Sequence, residues 1–313
     1  MIFFAVRRLA AGAVLLAVIS ALTYALLFFS GQSIARNILG DMATEEQVAL
    51  KEAELGLDKP LPVRFVIWAG SALTGDLGGS WFTAQEVADA IFSRLPVTLA
   101  LVSVSIVLVA VIATLMGMAA ATRRGWIDRV VQVGAVVGDA LPGFVFAIVL
   151  VAVFAMQLRL FPAISTITPG SSVDAWVATL ALPVIAIVVN YVTSSAQQIR
   201  SAVITQLERD YVRTLRSRGI GEGEILFKHV LRSAAPAGLT VIGLQFVGLL
   251  GGVVIIERVF AVPGIGALAV DATTSGDIPI VMGVVVYTVI VVVVVNLLID
   301  LANGWLNPKV RVA

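Results

Sequence analysis

The chain of 313 residues is 59% hydrophobic and only 13% charged, with a net charge of +1 and a mean hydropathy of +1.02. A water-soluble domain of this length needs far more charge to cover its surface, so the composition excludes an ordinary soluble protein. The sequence holds no cysteine and a single histidine, His229, which excludes disulfides, thiolate metal sites and histidine-based triads. We therefore expect no metal site, no cofactor and no catalytic residue in this chain.

Six apolar segments are long enough to cross a bilayer, since a transmembrane helix needs about 20 apolar residues. They are Leu9–Phe29, Pro96–Thr122, Val130–Leu158, Ala175–Ile199, Ser233–Ile256 and Ile278–Ile299. The last is rich in valine, but a segment in lipid must satisfy its own backbone, which favours a helix over a strand. A cleaved signal peptide is the alternative for the first segment, although its apolar core is longer than the usual one. The sequence predicts an all-α integral membrane protein with six transmembrane helices.

The distribution of lysine and arginine predicts the orientation, because cytoplasmic segments are enriched in both. With the N-terminus inside, the cytoplasmic segments hold 14 of the 21 basic residues. Both termini are therefore predicted to be cytoplasmic. We divide the chain into residues 1–95, an N-terminal span with an extracytoplasmic loop, and residues 96–313, a core of five spans.

Two loops are too long to be simple connections. The outer one, roughly Ser30–Leu95, carries nine acidic residues against five basic ones. Its acidic part, Asp41–Asp89, is a candidate landing surface for a protein or a cargo that arrives from outside. The inner one lies within residues 200–235 and is basic. Long loops that keep helix-forming sequence usually bind something.

The inner loop predicts a short amphipathic helix, a glycine turn and a second helix. The first helix lies within Gln206–Arg218 and has one apolar and one basic face. The apolar positions are Leu207, Tyr211 and Leu215, and the basic ones are Arg209, Arg213 and Arg216. This helix should stop at Gly219, and the second should run from near Glu222 to Pro236. Three interpretations stay open from physics alone: a docking site for another protein, a helix on anionic lipid headgroups, or a solvated connector.

Three polar residues within the spans are candidates for a translocation path. Asp139 precedes Pro142 in the third span, and an ionisable residue inside a membrane is a functional candidate. The alternative is a carboxylate near the cytoplasmic end, bonded to backbone groups that the proline frees. Asn190 in the fourth span and Gln245 in the fifth could line a wet path or form hydrogen bonds between helices. The pair Gly134 and Gly138 has the spacing of a close helix contact, for which a second subunit is one candidate.

The inner loop also carries a family resemblance. The segment DYVRTLRSRGIGEGEILFKHVLR, Asp210–Arg232, resembles the cytoplasmic loop of binding-protein-dependent ABC permeases, in the branch that imports oligopeptides, dipeptides and nickel. The general family pattern is Glu-Ala-Ala, then Gly, then Ile-x-Leu-Pro. Gly219 and Leu231 match it, whereas other residues stand at the remaining positions: Arg213, Thr214 and Leu215 at Glu-Ala-Ala, and His229 and Arg232 at Ile and Pro. The run Asp-Tyr-Val-Arg-Thr-x-Arg-x-x-Gly is similar to the peptide branch itself.

Four further stretches resemble the first, B-type permease of peptide systems and occur in the same order. They are LGLDKPLPVRF (Leu55–Phe65), GDLGGS with RLPVTLAL (Gly75–Ser80 and Arg94–Leu101), VFAVPGIGALAVDA (Val259–Ala272) and NLLIDLANGWLNPKVR (Asn296–Arg311). The resemblance thus covers almost the whole chain. It implies a type I ABC importer permease fold in the cytoplasmic membrane.

The resemblance also implies the site and its partners. The inner loop would be the element that couples the membrane subunit to an ATPase. Its candidate residues are Asp210, Tyr211, Arg213, Thr214, Leu215, Gly219, His229 and Leu231. The implied partners are a second homologous permease that forms a heterodimer with this chain, two cytoplasmic ATPase subunits or one fused ATPase, an extracytoplasmic substrate-binding protein and membrane lipid, with no nucleic acid. None of the four lysines follows a glycine, so the chain lacks the Gly-Lys of a phosphate-binding loop and ATP hydrolysis is expected in another chain.

The cargo implied by the resemblance is a dipeptide or oligopeptide, with nickel or glutathione-type import as the alternative. A proton-coupled secondary transporter with Asp139 as the proton carrier is a different class, and it predicts inverted repeats and further buried acids. We find neither in the sequence. A membrane scaffold without transport activity is the third alternative.

Overall fold

The computed structural model describes residues 2–28, 34–123, 125–168 and 170–306. Within them the chain forms helices joined by turns, together with one isolated β-bridge between Gly79 and Glu86. In chain order the helices are α1 Ile2–Phe28, α2 Ile34–Leu39, α3 Glu45–Glu54, α4 Leu61–Leu73, α5 Val87–Thr122, α6 Trp126–Ala140, α7 Gly143–Leu150, α8 Val173–Leu207, α9 Asp210–Ser217, α10 Glu222–Glu224, α11 Leu231–Val259, α12 Ile265–Ser275 and α13 Ile278–Leu306. Two π-helical segments, Val151–Gln157 and Ile225–Val230, continue α7 and α10.

Five helices of the described residues are long and apolar enough to cross a membrane, and they are α1, α5, α8, α11 and α13. The sixth predicted span, Val130–Leu158, is not a single straight helix. It is divided into α6 and α7, and the chain bends by 95° between them. Pro142 is the physical reason, because it has no N–H to continue the hydrogen-bond ladder of α6. Counted as one broken span, the pair brings the number to six and confirms the all-α membrane fold.

The fourth span extends further than its apolar segment indicated. Helix α8 continues from Ile199 to Leu207, eight residues into the predicted inner loop. Arg200 begins this extension and donates to Asp128 on α6 at 2.8 Å. The sequence predicted Arg200 to lie on the inner loop. In the structure this ion pair holds Arg200 against α6. The chain therefore leaves α8 at Glu208.

The structure divides into two compact units, and each has its own core. The first comprises residues 1–98 and 263–294. In this unit the outer segments pack against the outer ends of α1 and α13, around a buried cluster of Tyr24, Ile34, Ile278 and Met282. Asp277, 4% exposed, connects these parts because it accepts hydrogen bonds from the Ser80 hydroxyl and the Trp81 N–H. The predicted division of the chain at residue 95 stays a prediction.

The second unit comprises residues 99–262 and 295–313. Helix α8 is its central element and packs against α6, α7 and α11. Two glycines allow the close contact of α6 with α8: a Cβ at Gly134 would lie 3.1 Å from Thr193 Cγ2, and one at Gly138 would lie 2.7 Å from its Oγ1. The small-residue face of α6 is therefore used within the chain. The inner loop belongs to this unit.

Candidate functional site

The inner loop starts with a sharp turn between α8 and α9. The predicted helix across Gln206–Arg218 is wrong as one continuous helix, because Arg209 has extended backbone angles (φ −72°, ψ 149°) and separates the two. Leu207 therefore lies on the last turn of α8, whereas Tyr211 and Leu215 lie on α9. All three still pack on the same apolar core. The apolar spacing found the correct side chains, although they belong to two helices.

The loop carries its own buried residues. Val212 on α9 and two residues of the following helix, Ile225 and Val230, are 0% exposed. Tyr211, Leu215 and Leu231 are partly buried around them. Each fully buried aliphatic side chain contributes about 1.5–3 kcal/mol of transfer free energy. A solvated connector has no such core, so this loop is a folded element fixed to α8 and α11.

Gly219 ends α9 in a Schellman motif. Its N–H donates to Arg216 O at 2.9 Å, and the N–H of Ile220 donates to Leu215 O at 3.2 Å. Ile220 and Leu215 both pack on the core, which completes the hydrophobic contact of this motif. The φ of Gly219 is +77°, and nothing lies within 4 Å of the place a Cβ would occupy. Glycine is required here because the backbone is left-handed, and not because space for a side chain is lacking.

Ion pairs fix the turn on its solvent side. Arg216 at the end of α9 donates two hydrogen bonds to Glu222 at the start of the next helix, at 2.6 and 3.0 Å. These hydrogen bonds raise the pKa of Arg216 above its ordinary value. Lys228 and Glu224 pair at 2.9 Å one helical turn further on. Both pairs are exposed, so they orient the turn more than they stabilise the fold.

The solvent-exposed side chains of the inner loop are polar apart from one aromatic ring. Asp210, Arg213 and Thr214 are exposed on α9, and His229 is half-buried. Phe227, on the π-helical segment that follows α10, is 62% exposed. Phe227 is not among the residues that the sequence predicted for this site. In the sequence, Phe227 stands out only as an apolar residue next to Lys228. Its exposure depends on the helical register, which the structure supplies.

The three path candidates have different surroundings. Asn190 Nδ2 lies 3.4 Å from Gly138 O and 3.3 Å from Leu141 O. Pro142 frees the Gly138 carbonyl, because that oxygen would accept from the N–H that proline lacks. Gln245 Nε2 lies 3.4 Å from the Ser194 hydroxyl on α8. The side chain of Asp139 lies outside the described residues, so its predicted bond to the freed backbone stays a prediction.

A cavity of about 230 Å³ lies beside the break between α6 and α7. Its lining is mostly apolar, and Asn190 and Tyr191 bring polar groups to it. Gln245 is not among the lining residues. The structure thus places Asn190 at the cavity beside the break between α6 and α7. Gln245 instead forms a contact between α11 and α8. The path role of both residues stays a prediction.

The sequence matches two family descriptions along its length. Residues 113–312 match "Binding-protein-dependent transport system inner membrane component", and residues 1–102 match the N-terminal region of the same kind of component. The chain belongs to this family. It is a multi-pass inner membrane protein with the type I importer permease fold, as predicted.

Relatives match this permease over nearly their whole length. A protein of Sinorhizobium fredii named "Probable peptide ABC transporter permease protein" is 36% identical over 306 residues, which cover 97% of this chain and 98% of that protein. A Brucella abortus protein named for a peptide transport system is 34% identical over the same length and the same shares. The glutathione transport system permease protein of Salmonella choleraesuis is 34% identical over 278 residues, 88% of each chain.

We expect Asn190→Ala to destabilise the permease, because it removes the donor that faces the two carbonyls at the helix break. The loss is about 1 kcal/mol for a hydrogen bond of this kind. The measurement is the thermal unfolding midpoint of the purified protein in detergent. Gln245→Ala is the matched control, since it removes one contact with a side chain and frees no backbone group. Equal midpoints for the two variants would contradict the role of Asn190 at the break.

Proposed function

We propose that this permease is one half of the pore of an ATP-driven peptide importer. The observation that supports this most is the family match along the whole chain, combined with a folded cytoplasmic loop. The relatives of Sinorhizobium and Brucella are named for peptides. Glutathione, the cargo in the name of the Salmonella relative, is itself a small peptide. Peptide is therefore the cargo class these names share.

The inner loop is the proposed coupling element. A membrane subunit that follows an ATPase by rigid-body movement needs a stiff contact, and α9 is stiffened by its buried residues and its Schellman turn. The exposed face of α9 and the neighbouring Phe227 ring would meet the ATPase. Aromatic residues are enriched at the centre of protein interfaces, and the Phe227 ring is exposed. Transport follows by alternating access, because ATP binds the closed state of the ATPases more tightly than the open state.

The proposed assembly contains four kinds of chain. A second homologous permease completes the pore as a heterodimer, and two ATPases or one fused ATPase supply hydrolysis. An extracytoplasmic binding protein delivers the cargo. The sequence supports the need for a separate ATPase, because none of its lysines follows a glycine and a phosphate-binding loop requires that pair. Nickel import and proton-coupled transport remain the alternatives to be tested.

We expect Gly219→Val to uncouple the importer, because a β-branched residue strains the left-handed backbone that ends α9. The cost of this conformation is about 1–2 kcal/mol for an L-residue. Gly219→Asn should retain most of the coupling, since asparagine tolerates the conformation. The measurement is ATPase stimulation by the loaded binding protein in reconstituted vesicles.

Gly223→Ala is the matched control for Gly219. Its glycine lies in α10, has no positive φ and has open space around the Cβ position. Alanine is favoured in a helix, so this variant should behave like the wild type. Normal stimulation in Gly219→Val would contradict the coupling role of the turn. Failure of Gly219→Asn together with Gly219→Val would show that the site needs a bare backbone and would contradict the conformational explanation.

We expect Phe227→Ala to weaken binding of the ATPase without lowering the stability of the permease, because the ring is exposed. An aromatic residue at the centre of an interface typically contributes about 2 kcal/mol or more, which corresponds to a thirtyfold or greater loss of affinity. The measurement is the dissociation constant of the ATPase for the permease in detergent. Phe92→Ala, which removes a 67% exposed ring from the first turns of α5, is the control. Equal affinities for the two variants would place the ATPase contact elsewhere.

The cargo is tested by competition in the reconstituted importer. We expect unlabelled di- and oligopeptides to compete for uptake of a labelled peptide, and nickel not to compete. Uptake should require ATP and should continue when the proton gradient is dissipated. It should also persist in Asp139→Asn. Uptake that continues without the ATPase and stops without the gradient would favour the proton-coupled alternative.

A further inference from the structure

Helix α4 has an inverted distribution of polar and apolar side chains for a helix in a water-exposed loop. Its exposed residues recur at one side of the helix, and all are apolar: Pro62, Val63, Val66, Ile67, Gly70 and Leu73. Val66 is 67% exposed and Leu73 is 90% exposed. Contiguous exposed apolar surface of this kind marks a site that water does not cover in the working protein.

The opposite side of α4 carries the polar groups. Arg64 is 8% exposed, and its guanidinium lies over the rings of Tyr24 at 5.7 Å and Phe28 at 5.6 Å. Phe65 and Trp68 pack on Tyr24 with ring centroids 5.7 and 6.3 Å away. The charged residue of α4 therefore faces the protein and the aliphatic residues face outward. A helix that docks on a soluble core has the reverse arrangement.

The contact with Tyr24 fixes the depth of α4. Tyr24 is four residues before the end of α1, so it lies about 6 Å below the outer end of that span at the helical rise. The neighbouring residues Leu22 and Leu26 are 59% and 72% exposed on the spanning helix. Helix α4 is thus attached at a level at which α1 still exposes large aliphatic side chains. Tyrosine and tryptophan at that level are typical of the membrane interface.

We propose that α4 is an interfacial helix whose outward face, Val63, Val66, Ile67 and Leu73, lies among the acyl chains of the outer leaflet. Its surface continues the lipid-exposed surface of α1, and its 13 residues lie on the membrane without spanning it. Lys59, just before the helix, is exposed and can reach the headgroup layer. The outer loop is then not wholly a landing surface for soluble proteins, because its central helix is occupied by lipid.

The chain has no cysteine, so single cysteines can be introduced into the otherwise native protein and spin-labelled. The test uses Val66→Cys and Leu73→Cys in the full chain, reconstituted with its partner subunits in vesicles of phosphatidylethanolamine and phosphatidylglycerol. Collision with oxygen, which concentrates in hydrocarbon, is compared with collision with a water-soluble nickel chelate. Leu26→Cys on α1 is the lipid-facing reference, and Glu46→Cys on α3, whose side chain is exposed, is the aqueous reference.

We expect the oxygen-to-nickel ratio at Val66 and Leu73 to be several-fold higher than at Glu46 and close to that at Leu26. A ratio equal to that at Glu46 would show a water-facing helix and would overturn the proposal. Low collision rates with both reagents would show that a protein partner covers the face, and this would overturn it as well. Both label positions are exposed, so the labels leave the packing intact; Ile67→Cys, at the edge of the same face, provides an independent third position.

Discussion

Within the hydrocarbon of a membrane, every backbone N–H and C=O must find its partner inside the protein. This constraint turns the apolar segments into helices and makes any break in them costly. The break between α6 and α7 shows how the cost is met. Pro142 frees the Gly138 carbonyl, and the Asn190 amide from α8 faces that oxygen and the Leu141 carbonyl. Asn190 therefore has a structural reason to lie within a membrane span. Its side chain also lines the adjoining cavity.

The need to pair backbone groups also explains how the cytoplasmic loop is built. The end of α9 leaves carbonyl groups unpaired, and the Schellman turn at Gly219 satisfies them with two backbone bonds. Because Ile220 then folds back onto Leu215, the turn also closes the small core around Val212 and Ile225. The loop is therefore a folded unit and not a loose connection. The glycine that the family resemblance singled out thus has a physical reason in this chain, which is its backbone conformation.

The extracytoplasmic region follows a different constraint, the boundary between lipid and water. Tyr24, Phe65 and Trp68 form an aromatic cluster at the outer end of α1, and Arg64 is held against it. Aromatic rings with a polar edge suit this boundary, since one end is apolar and the other can be hydrated. The acidic helix α3 precedes α4 in the chain, so an exposed charged helix and a helix with an apolar outer face follow each other in one loop.

The sequence by itself determined the class of protein, the number of spans, their orientation and the position of the inner loop for which we propose a coupling role. These depend on composition and length, because the bilayer imposes one thickness and one rule for backbone groups on every segment. It also selected Gly219 and the apolar side chains of the loop. Only the tertiary structure decided the turn at Arg209, the partner of the Gly138 carbonyl, the outward position of Phe227 and the inverted face of α4. Each of these depends on which side of a helix meets a neighbour from a distant part of the chain, and hydropathy along the sequence does not contain that information.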